Sequence, residues 1–152
     1  MEIPLKKITG DYLIEIQGIQ EVDGERSEVN VLTEGKYFAT SDGERCISYT
    51  EYDPENPNKF HNSVIGINPK DNVITIVREG ENVSKLVLEK GIKHHCYYNT
   101  PYGGLMIGLY TRAIDSSLDD EGGKLFLSYT PDFNAGLISS NECTIKVKRK
   151  GA

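Results

Sequence analysis

Residues 73–82 of the chain read VITIVREGEN, and this segment carries the strongest strand signal in the sequence. Five of the six residues from Val73 to Arg78 are β-branched, and such residues favour the pleated, half-buried surface of a sheet. The four residues that follow, Glu79-Gly80-Glu81-Asn82, are typical of a turn. A short strand followed at once by a turn indicates a chain that reverses on itself in an antiparallel sheet.

The same pattern extends in both directions from this segment. Apolar residues recur at a period of two, and no segment has a clear helical period. Asp23-Gly24 and Asp42-Gly43 have the composition of hairpin turns, and we expect a β-bulge at Gly35. The segment from Pro131 to Ser140 reads as irregular. About 8–10 short strands with short sequential connections predict an all-β fold, a single antiparallel up-and-down β-barrel with little helix.

The segment YYNTPYGGL, residues 97–105, is predicted to form one of these hairpins. Proline and glycine stand where a type I turn over Thr100–Gly103 places them, and Gly103 or Gly104 can then take a positive φ. Tyr102 would project at the tip of the turn. The turn needs no ligand to explain it, although an exposed aromatic side chain at a barrel mouth could contact one.

Length and charge restrict the class of protein. The chain has 152 residues, so we expect a single domain over residues 1–152, with residues 1–10 as a loose N-terminal segment. A net charge of −6 argues against a nucleic-acid partner, since phosphate binding needs a basic surface. No apolar run is long enough for a membrane span, so we expect no membrane partner. Lys146, Lys148 and Lys150 alternate with other residues, which is typical of the exposed face of a final strand.

Cysteine usage indicates a reducing compartment. Cys46, Cys96 and Cys143 are widely spaced, odd in number and without a CxxC pair, which argues against a disulfide framework. The N-terminus has no apolar segment of the kind expected in a signal peptide. We therefore expect a cytoplasmic protein with buried, inert thiols.

Two segments contain residues of the kinds that bind metal ions, but neither has the complete pattern of a metal site. In His94-His95-Cys96 only the first and third residues share a strand face, and zinc would need a further ligand from His61, Cys46 or Cys143. The acidic residues from Asp115 to Glu121 resemble part of a calcium loop, but the required glycine is replaced by Asp120. No nucleophile motif and no phosphate-binding glycine loop is present. We therefore predict no metal, no cofactor and no catalytic residue.

Several short motifs occur in a recognisable order along the chain: Arg78-Glu79-Gly80, Gly91, Tyr98-Asn99-Thr100-Pro101-Tyr102-Gly103, Thr111 and Leu127-Ser128-Tyr129. In this order the sequence resembles the YwiB-like family, small bacterial proteins chiefly from Firmicutes. The resemblance spans most of the chain. It implies a calycin-type, lipocalin-like β-barrel with no established activity, and it transfers no site residues. Leu86 and Leu88 stand where a methionine and an aromatic residue are expected, which bears on what a cavity would accept.

The first functional hypothesis is a ligand-binding barrel. Arginine and tyrosine residues in the predicted strands could form the polar end of an apolar cavity suited to a small apolar or amphipathic molecule, including an anionic one. The predicted lining residues are Arg78, Tyr98, Tyr110 and Arg112, with Tyr102 at the mouth. The other interpretation is that both arginines face solvent or close the barrel end by bonding backbone carbonyls.

Two further hypotheses remain open. In one, the core is filled and the protein acts through its surface or as a homodimer, with Phe38, Phe60 and Tyr102 as candidate contacts. In the other, the protein is an enzyme, which rests on analogy with other barrels alone and is placed last.

Overall fold

The computed structural model describes residues 9–52, 55–56, 58–80, 83–100, 103–134 and 136–151. The loose segment predicted at residues 1–10 therefore lies mostly outside the described residues. Within the described part of the chain the regular structure consists of strands alone. In chain order these are β1 (Tyr12–Val22), β2 (Glu25–Ala39), β3 (Arg45–Tyr52), β4 (Phe60–Asn68), β5 (Val73–Glu79), β6 (Ser84–Glu89), β7 (Lys93–Thr100), β8 (Gly103–Ser116), β9 (Gly122–Phe133), β10 (Gly136–Leu137) and β11 (Ser140–Arg149).

Ten of these strands form a closed antiparallel barrel. From β1 to β9 each strand pairs with its neighbour in sequence, and β11 then lies between β9 and β1 and completes the circle. The short β10 adds only two residues beside the end of β9. The prediction of an all-β, up-and-down barrel is confirmed. Because the sheet closes on itself, a strand that is paired on both sides has no exposed edge.

The tight turns follow from residues that tolerate a positive φ. Asp23 and Gly24 have φ values of 51° and 82°, the combination that a type I′ hairpin turn requires. Gly43 and Gly103 also have positive φ, as their predicted turns imply. Thr100 pairs directly with Gly103, while Pro101 and Tyr102 lie outside the described residues.

Two local predictions were wrong. Gly35 lies in a continuous register with β1 and β3 instead of forming a bulge. A Cβ atom at this position would lie 2.2 Å from the backbone oxygen of Ser48, so glycine is needed there for close approach and not for a bulge. The chain from Pro131 onward is also less irregular than expected, because β9 continues to Phe133 and pairs with β8.

Alternation along the strands places one set of side chains in the barrel interior. The fully buried apolar side chains come from eight strands and are at most 1% exposed. They are Ile14, Ile47, Ile65, Ile74, Leu88, Leu109, Leu125, Leu127 and Ile145. Because each strand contributes its inward face to one cluster, this core holds the wall of the barrel together.

Candidate functional site

One end of the barrel is closed by the loop between β8 and β9. The Tyr37 hydroxyl donates a hydrogen bond to the carbonyl oxygen of Asp119 and accepts one from Arg45 Nη1 at 3.3 Å. Arg45 Nη2 also lies 3.0 Å from Asp120 Oδ1. At this end, which we call the capped end, Arg149 donates a hydrogen bond to the Tyr12 hydroxyl at 3.2 Å. The loop between β8 and β9 therefore contacts the barrel wall through Asp119 and Asp120.

The interior changes character toward the other end. Here the residue two positions beyond an inward apolar residue is polar in several strands. Tyr49 follows Ile47, Arg78 follows Ile76 and Tyr129 follows Leu127. Ser63 on β4 and Cys143 on β11 occupy the equivalent inward positions of their strands. We call these five residues the polar interior cluster. Each has the side-chain direction of the apolar residue two positions away, because successive residues of a strand alternate between faces.

Arg78 lies within electrostatic reach of residues from the opposite side of the barrel. Burial raises the pKa of Tyr49, Tyr129 and Cys143, and the positive charge of Arg78 opposes this rise in each of them. Tyr129 and Cys143 belong to β9 and β11, which are not neighbours of β5 in the sheet. The guanidinium can act on both only across the barrel interior, and this places Arg78 inside.

Burial outweighs the effect of Arg78 on its neighbours. Desolvation raises the pKa of Tyr129 to about 12 and that of Cys143 to about 11, and it raises the pKa of Tyr49 as well. The two phenols and the thiol are therefore neutral near pH 7, and the guanidinium is the cation of the cluster. A cation surrounded by neutral O–H and S–H donors is an environment suited to an anion.

The hydrogen-bonding capacity of the cluster is incompletely used. Arg78 Nε is fully buried and has no hydrogen-bond partner in the structure. Ser63 Oγ is also buried without a hydrogen bond of normal geometry, although it is near enough to the Tyr49 hydroxyl to lower the pKa of that group. A buried charged donor without a partner is costly, so a hydrogen-bond acceptor beside Arg78 Nε would be favourable.

The Glu51 carboxylate and the His61 imidazole lie beyond the polar interior cluster, farther from the capped end. His61 Nε2 is 3.0 Å from Glu51 Oε2, and the two residues are directly opposite each other on β3 and β4. Gly80 lies against His61, since a Cβ atom on Gly80 would approach His61 Cβ to 2.9 Å. Glu51 also raises the pKa of Tyr49 and Cys143, so the pair borders the polar interior cluster.

The structure places some of the predicted lining residues inside the barrel and others on its outer face. Arg78 belongs to the polar interior cluster, and Tyr98 packs half-buried against the core and acts electrostatically on Tyr129. Tyr110 and Arg112 lie on the outer face of β8, where Tyr110 is 39% exposed. Their placement in the lining was wrong. Tyr102 lies outside the described residues.

The sequence contained a signal that would have excluded Tyr110 and Arg112. Leu105, Ile107 and Leu109 occupy one face of β8, so unbroken alternation would place Tyr110 and Arg112 on the opposite face. In the structure Arg112 is exposed at a β-bulge between Thr111 and Ala113, beyond which Ile114 packs against the core. The same rule would have found the residues that were missed, since Tyr49, Tyr129 and Cys143 continue apolar inward series.

The candidate metal ligands have other partners or lie apart. His94 Nε2 is 3.0 Å from Glu89 Oε1, and Cys96 Sγ accepts a hydrogen bond from the backbone of Val87. No group of three His, Cys, Asp or Glu side chains suited to a metal ion occurs among the described residues. A search of the same residues found no helix with the length and apolar character needed to cross a membrane.

The two described candidates for a surface contact differ in exposure. Phe38 is 45% exposed. Phe60 is half-buried and packs against Tyr52 with ring centroids 6.3 Å apart. Phe38 therefore remains available to a partner, whereas much of Phe60 is covered by its own chain.

Comparison with known proteins supports the resemblance seen in the sequence. A family model described as Domain of unknown function (DUF1934) matches residues 14–145. The crystal structure of the ywiB protein from Bacillus subtilis matches with a TM-score of 0.78 and 18% identity, covering 91% of this chain and 90% of that chain. At this identity the likeness shows the fold. No curated protein matches the sequence.

Proposed function

The chain belongs to the DUF1934 family of domains of unknown function, and on that premise we propose that its barrel binds a small amphipathic acid. The anionic group of this ligand rests on Arg78 and the apolar part contacts the surrounding barrel wall. The observation that carries the proposal is the buried Nε atom of Arg78, which has no hydrogen-bond partner.

An anion would satisfy the polar interior cluster better than any other ligand group. A carboxylate or phosphate accepts two parallel hydrogen bonds from a guanidinium, and such charge-assisted bonds are about twice as strong as neutral ones. The hydroxyl groups of Tyr49, Ser63 and Tyr129 add neutral donors around the same point. A cationic ligand head would meet the charge of Arg78 and be repelled.

The packing of the barrel limits the size of the ligand. The core toward the capped end is filled by side chains that are at most 1% exposed, so a long acyl chain has no space there. Ile16, Leu86 and Leu105 are half-buried against the core and would contact a short apolar group. Burial of that group contributes about 25 cal/mol for each Å² removed from water.

We place this function in the cytoplasm. Cys46, Cys96 and Cys143 are all free thiols, and a reducing compartment keeps thiols in that state. The net charge of −6 further disfavours nucleic acid as a partner.

The experiment uses matched probes that differ in head-group charge. Octanoate and octylamine share an eight-carbon chain, and isothermal titration calorimetry measures the binding of each to the full-length protein. We expect octanoate to bind and octylamine to bind at least tenfold more weakly, since the loss of one charge-assisted bidentate contact has about this effect. Native mass spectrometry of protein taken from cells would identify a co-purified acid.

Two arginine variants supply the control. Arg78→Met should abolish octanoate binding, whereas Arg112→Met, on the outer face of β8, should leave the affinity unchanged. Equal affinity of the wild-type protein for the acid and the amine, or unchanged binding by the Arg78→Met variant, would overturn the proposal.

A further inference from the structure

The hairpin of β1 and β2 projects beyond the rest of the barrel. The two strands pair with each other without a break from Tyr12–Gly35 to Val22–Glu25. The pairing of β2 with β3, by contrast, begins only at Gly35–Tyr49. On its side away from β1, β2 therefore has no strand paired with it from Glu25 to Glu34 within the described part of the chain. β3 contacts this stretch at Thr33, whose hydroxyl donates a hydrogen bond to the carbonyl oxygen of Thr50 at 3.3 Å. We call this stretch the free edge.

The hairpin turn determines which residues of the free edge direct their backbone hydrogen-bonding groups away from β1. In a two-residue hairpin the residues that flank the turn, here Val22 and Glu25, form a hydrogen-bonded pair. Ser27, Val29 and Val31 then also bond to β1. The residues between them direct their backbone N–H and C=O groups outward, away from β1. These are Arg26, Glu28, Asn30 and Leu32.

The side chains of the free edge do not prevent pairing. Val29 and Leu32 are 62% and 69% exposed, and β-branched valines are favourable in a sheet. A long exposed edge of this kind is a template for another strand unless charges or bulges block it. The charges present are Glu25, Arg26, Glu28 and Glu34, and their arrangement decides which strand can pair.

We propose that the free edge pairs with the free edge of a second copy of this chain, antiparallel and centred on Asn30. Asn30 then lies opposite Asn30 of the second copy, and Glu28 lies opposite Leu32. Val29 lies opposite Val31 on the other face, so the two copies bring four valines together. Arg26, whose Nη2 lies 2.8 Å from Glu28 Oε1 of its own chain, comes beside Glu34 of the second copy and would be shared between the two carboxylates. This places opposite charges at both ends of the contact.

Charge selects this register over its neighbours. A two-fold axis perpendicular to the sheet keeps the same face on both copies, so the register can shift only in steps of two residues. One step in either direction centres the contact on Val29 or Val31. The Val31 register places Glu28 opposite Glu34 of the second copy, and like charges directly opposite are unfavourable. The Val29 register places Arg26 opposite Leu32 and forms no ion pair. The Asn30-centred register has no like charges directly opposite. Lys150 Nζ lies 2.6 Å from Glu34 Oε1, so Glu34 would be shared between Lys150 and Arg26 of the second copy.

Disulfide trapping tests the geometry. Residues in a hydrogen-bonded antiparallel pair have Cα atoms about 5.5 Å apart, which lies within the range of about 4.4–6.8 Å that a disulfide spans. The variant Asn30→Cys should form a covalent dimer under mild oxidation. Val83→Cys, at a 51% exposed position outside the hairpin, is the control and should form no covalent dimer, and neither should the wild-type protein with its three thiols.

Charge reversal tests the register without a cross-link. Arg26→Glu places a carboxylate beside Glu34 of the second copy and should weaken dimerisation about tenfold, because two exposed ion pairs become two repulsions. The double variant Arg26→Glu with Glu34→Arg should restore it. Because a contact of this length is small, the dimer is expected to be weak, and light scattering should extend to about 1 mM protein.

Two results would overturn the proposal. One is that Asn30→Cys cross-links no faster than Val83→Cys while the wild-type protein stays monomeric over the whole concentration range. The other is a dimer whose affinity is unchanged by Arg26→Glu. Neither outcome bears on ligand binding at Arg78, because the hairpin positions lie outside the polar interior cluster.

Discussion

Lys93 Nζ lies 2.7 Å from Asp132 Oδ2, although β8 separates the strands that carry these two residues. Lys93 is opposite Tyr110 of β8, and Gly108, two residues earlier, is opposite Asp132. A Cβ atom on Gly108 would lie 2.7 Å from Asp132 Oδ1, so the absence of a side chain lets the carboxylate reach across the strand. The ion pair therefore connects three strands at the point where β8 and β9 close the barrel.

The first prediction concerns this ion pair. The Asp132 side chain is only 13% exposed, so removal of its partner leaves a poorly solvated carboxylate. Lys93→Met should lower the free energy of unfolding by about 1 kcal/mol. Lys85→Met is the control, since Lys85 is exposed and has no ion pair with a described residue, and its effect should stay within about 0.5 kcal/mol. Urea denaturation measures both. An equal effect of the two variants would show that the pair contributes nothing.

The second prediction compares two glycines on the paired strands β1 and β2. A Cβ atom at Gly35 would lie 2.2 Å from the backbone oxygen of Ser48 and 2.4 Å from Ile14 Cδ1, and the backbone cannot move aside without loss of pairing. Gly35→Ala should cost about 3 kcal/mol or more. At Gly18 the nearest atom is 4.0 Å away, so Gly18→Ala should be neutral or stabilise by about 0.5–1 kcal/mol. Thermal unfolding that ranks the two variants in the opposite order would contradict this reading.

The third prediction concerns Arg78 in the protein without ligand. The buried Nε atom of Arg78 lacks a hydrogen-bond partner, which is unfavourable, and replacement of such a side chain by an apolar one of similar length is often neutral or stabilising. Arg78→Met should therefore leave the free energy of unfolding unchanged or raise it by about 1–3 kcal/mol. Arg112→Met should have no effect beyond about 0.5 kcal/mol. A clear loss of stability in Arg78→Met would mean that the guanidinium has a partner of its own within the protein.

The fourth prediction is a loss of stability at alkaline pH. Burial raises the pKa of Cys143 from 9.0 to about 11 and that of Tyr129 from 10.0 to about 12. The unfolded chain therefore releases these protons at a lower pH than the folded protein does, and stability is constant below about pH 9 and falls above it. A shift of two pKa units corresponds to about 2–3 kcal/mol for the thiol once the pH exceeds 11.

Cysteine variants separate the thiol from the phenols in this pH dependence. Cys143→Ala should make the fall in stability between pH 9 and 10 shallower, and Cys46→Ala, at a half-buried position, should change the slope less. Urea unfolding at several pH values between 8 and 10.5 gives the slopes. Identical slopes for Cys143→Ala and the wild-type protein would show that this thiol does not titrate differently on unfolding.

Much of the barrel was predictable because turn chemistry and alternation are local properties. Val73 to Arg78 signals a strand by its β-branched residues, and Asp23-Gly24 signals a type I′ turn. Gly35 was misread because its role depends on Ser48 and Ile14, which approach it from other strands. No local pattern distinguishes a glycine that bulges from one that makes room for a neighbouring strand.

The candidate site was predictable only in part. Arg78 and Tyr98 were predicted and lie in the interior, whereas Tyr110 and Arg112 lie on the outer face. The alternation along β8 could have corrected those two. The meeting of Arg78 with Tyr129 and Cys143 could not have been foreseen, because it depends on which strands face each other across the closed barrel.

The sequence by itself determined the strands, the turns and the sequential pairing of neighbours, since these depend on residues close together in the chain. The tertiary structure alone decided three other features: the loop that closes the capped end, the buried Nε atom of Arg78 without a hydrogen-bond partner, and the length of β2 left unpaired. Each depends on the stagger with which ten strands close into a ring. That stagger is set by the packing of inward side chains from all the strands together.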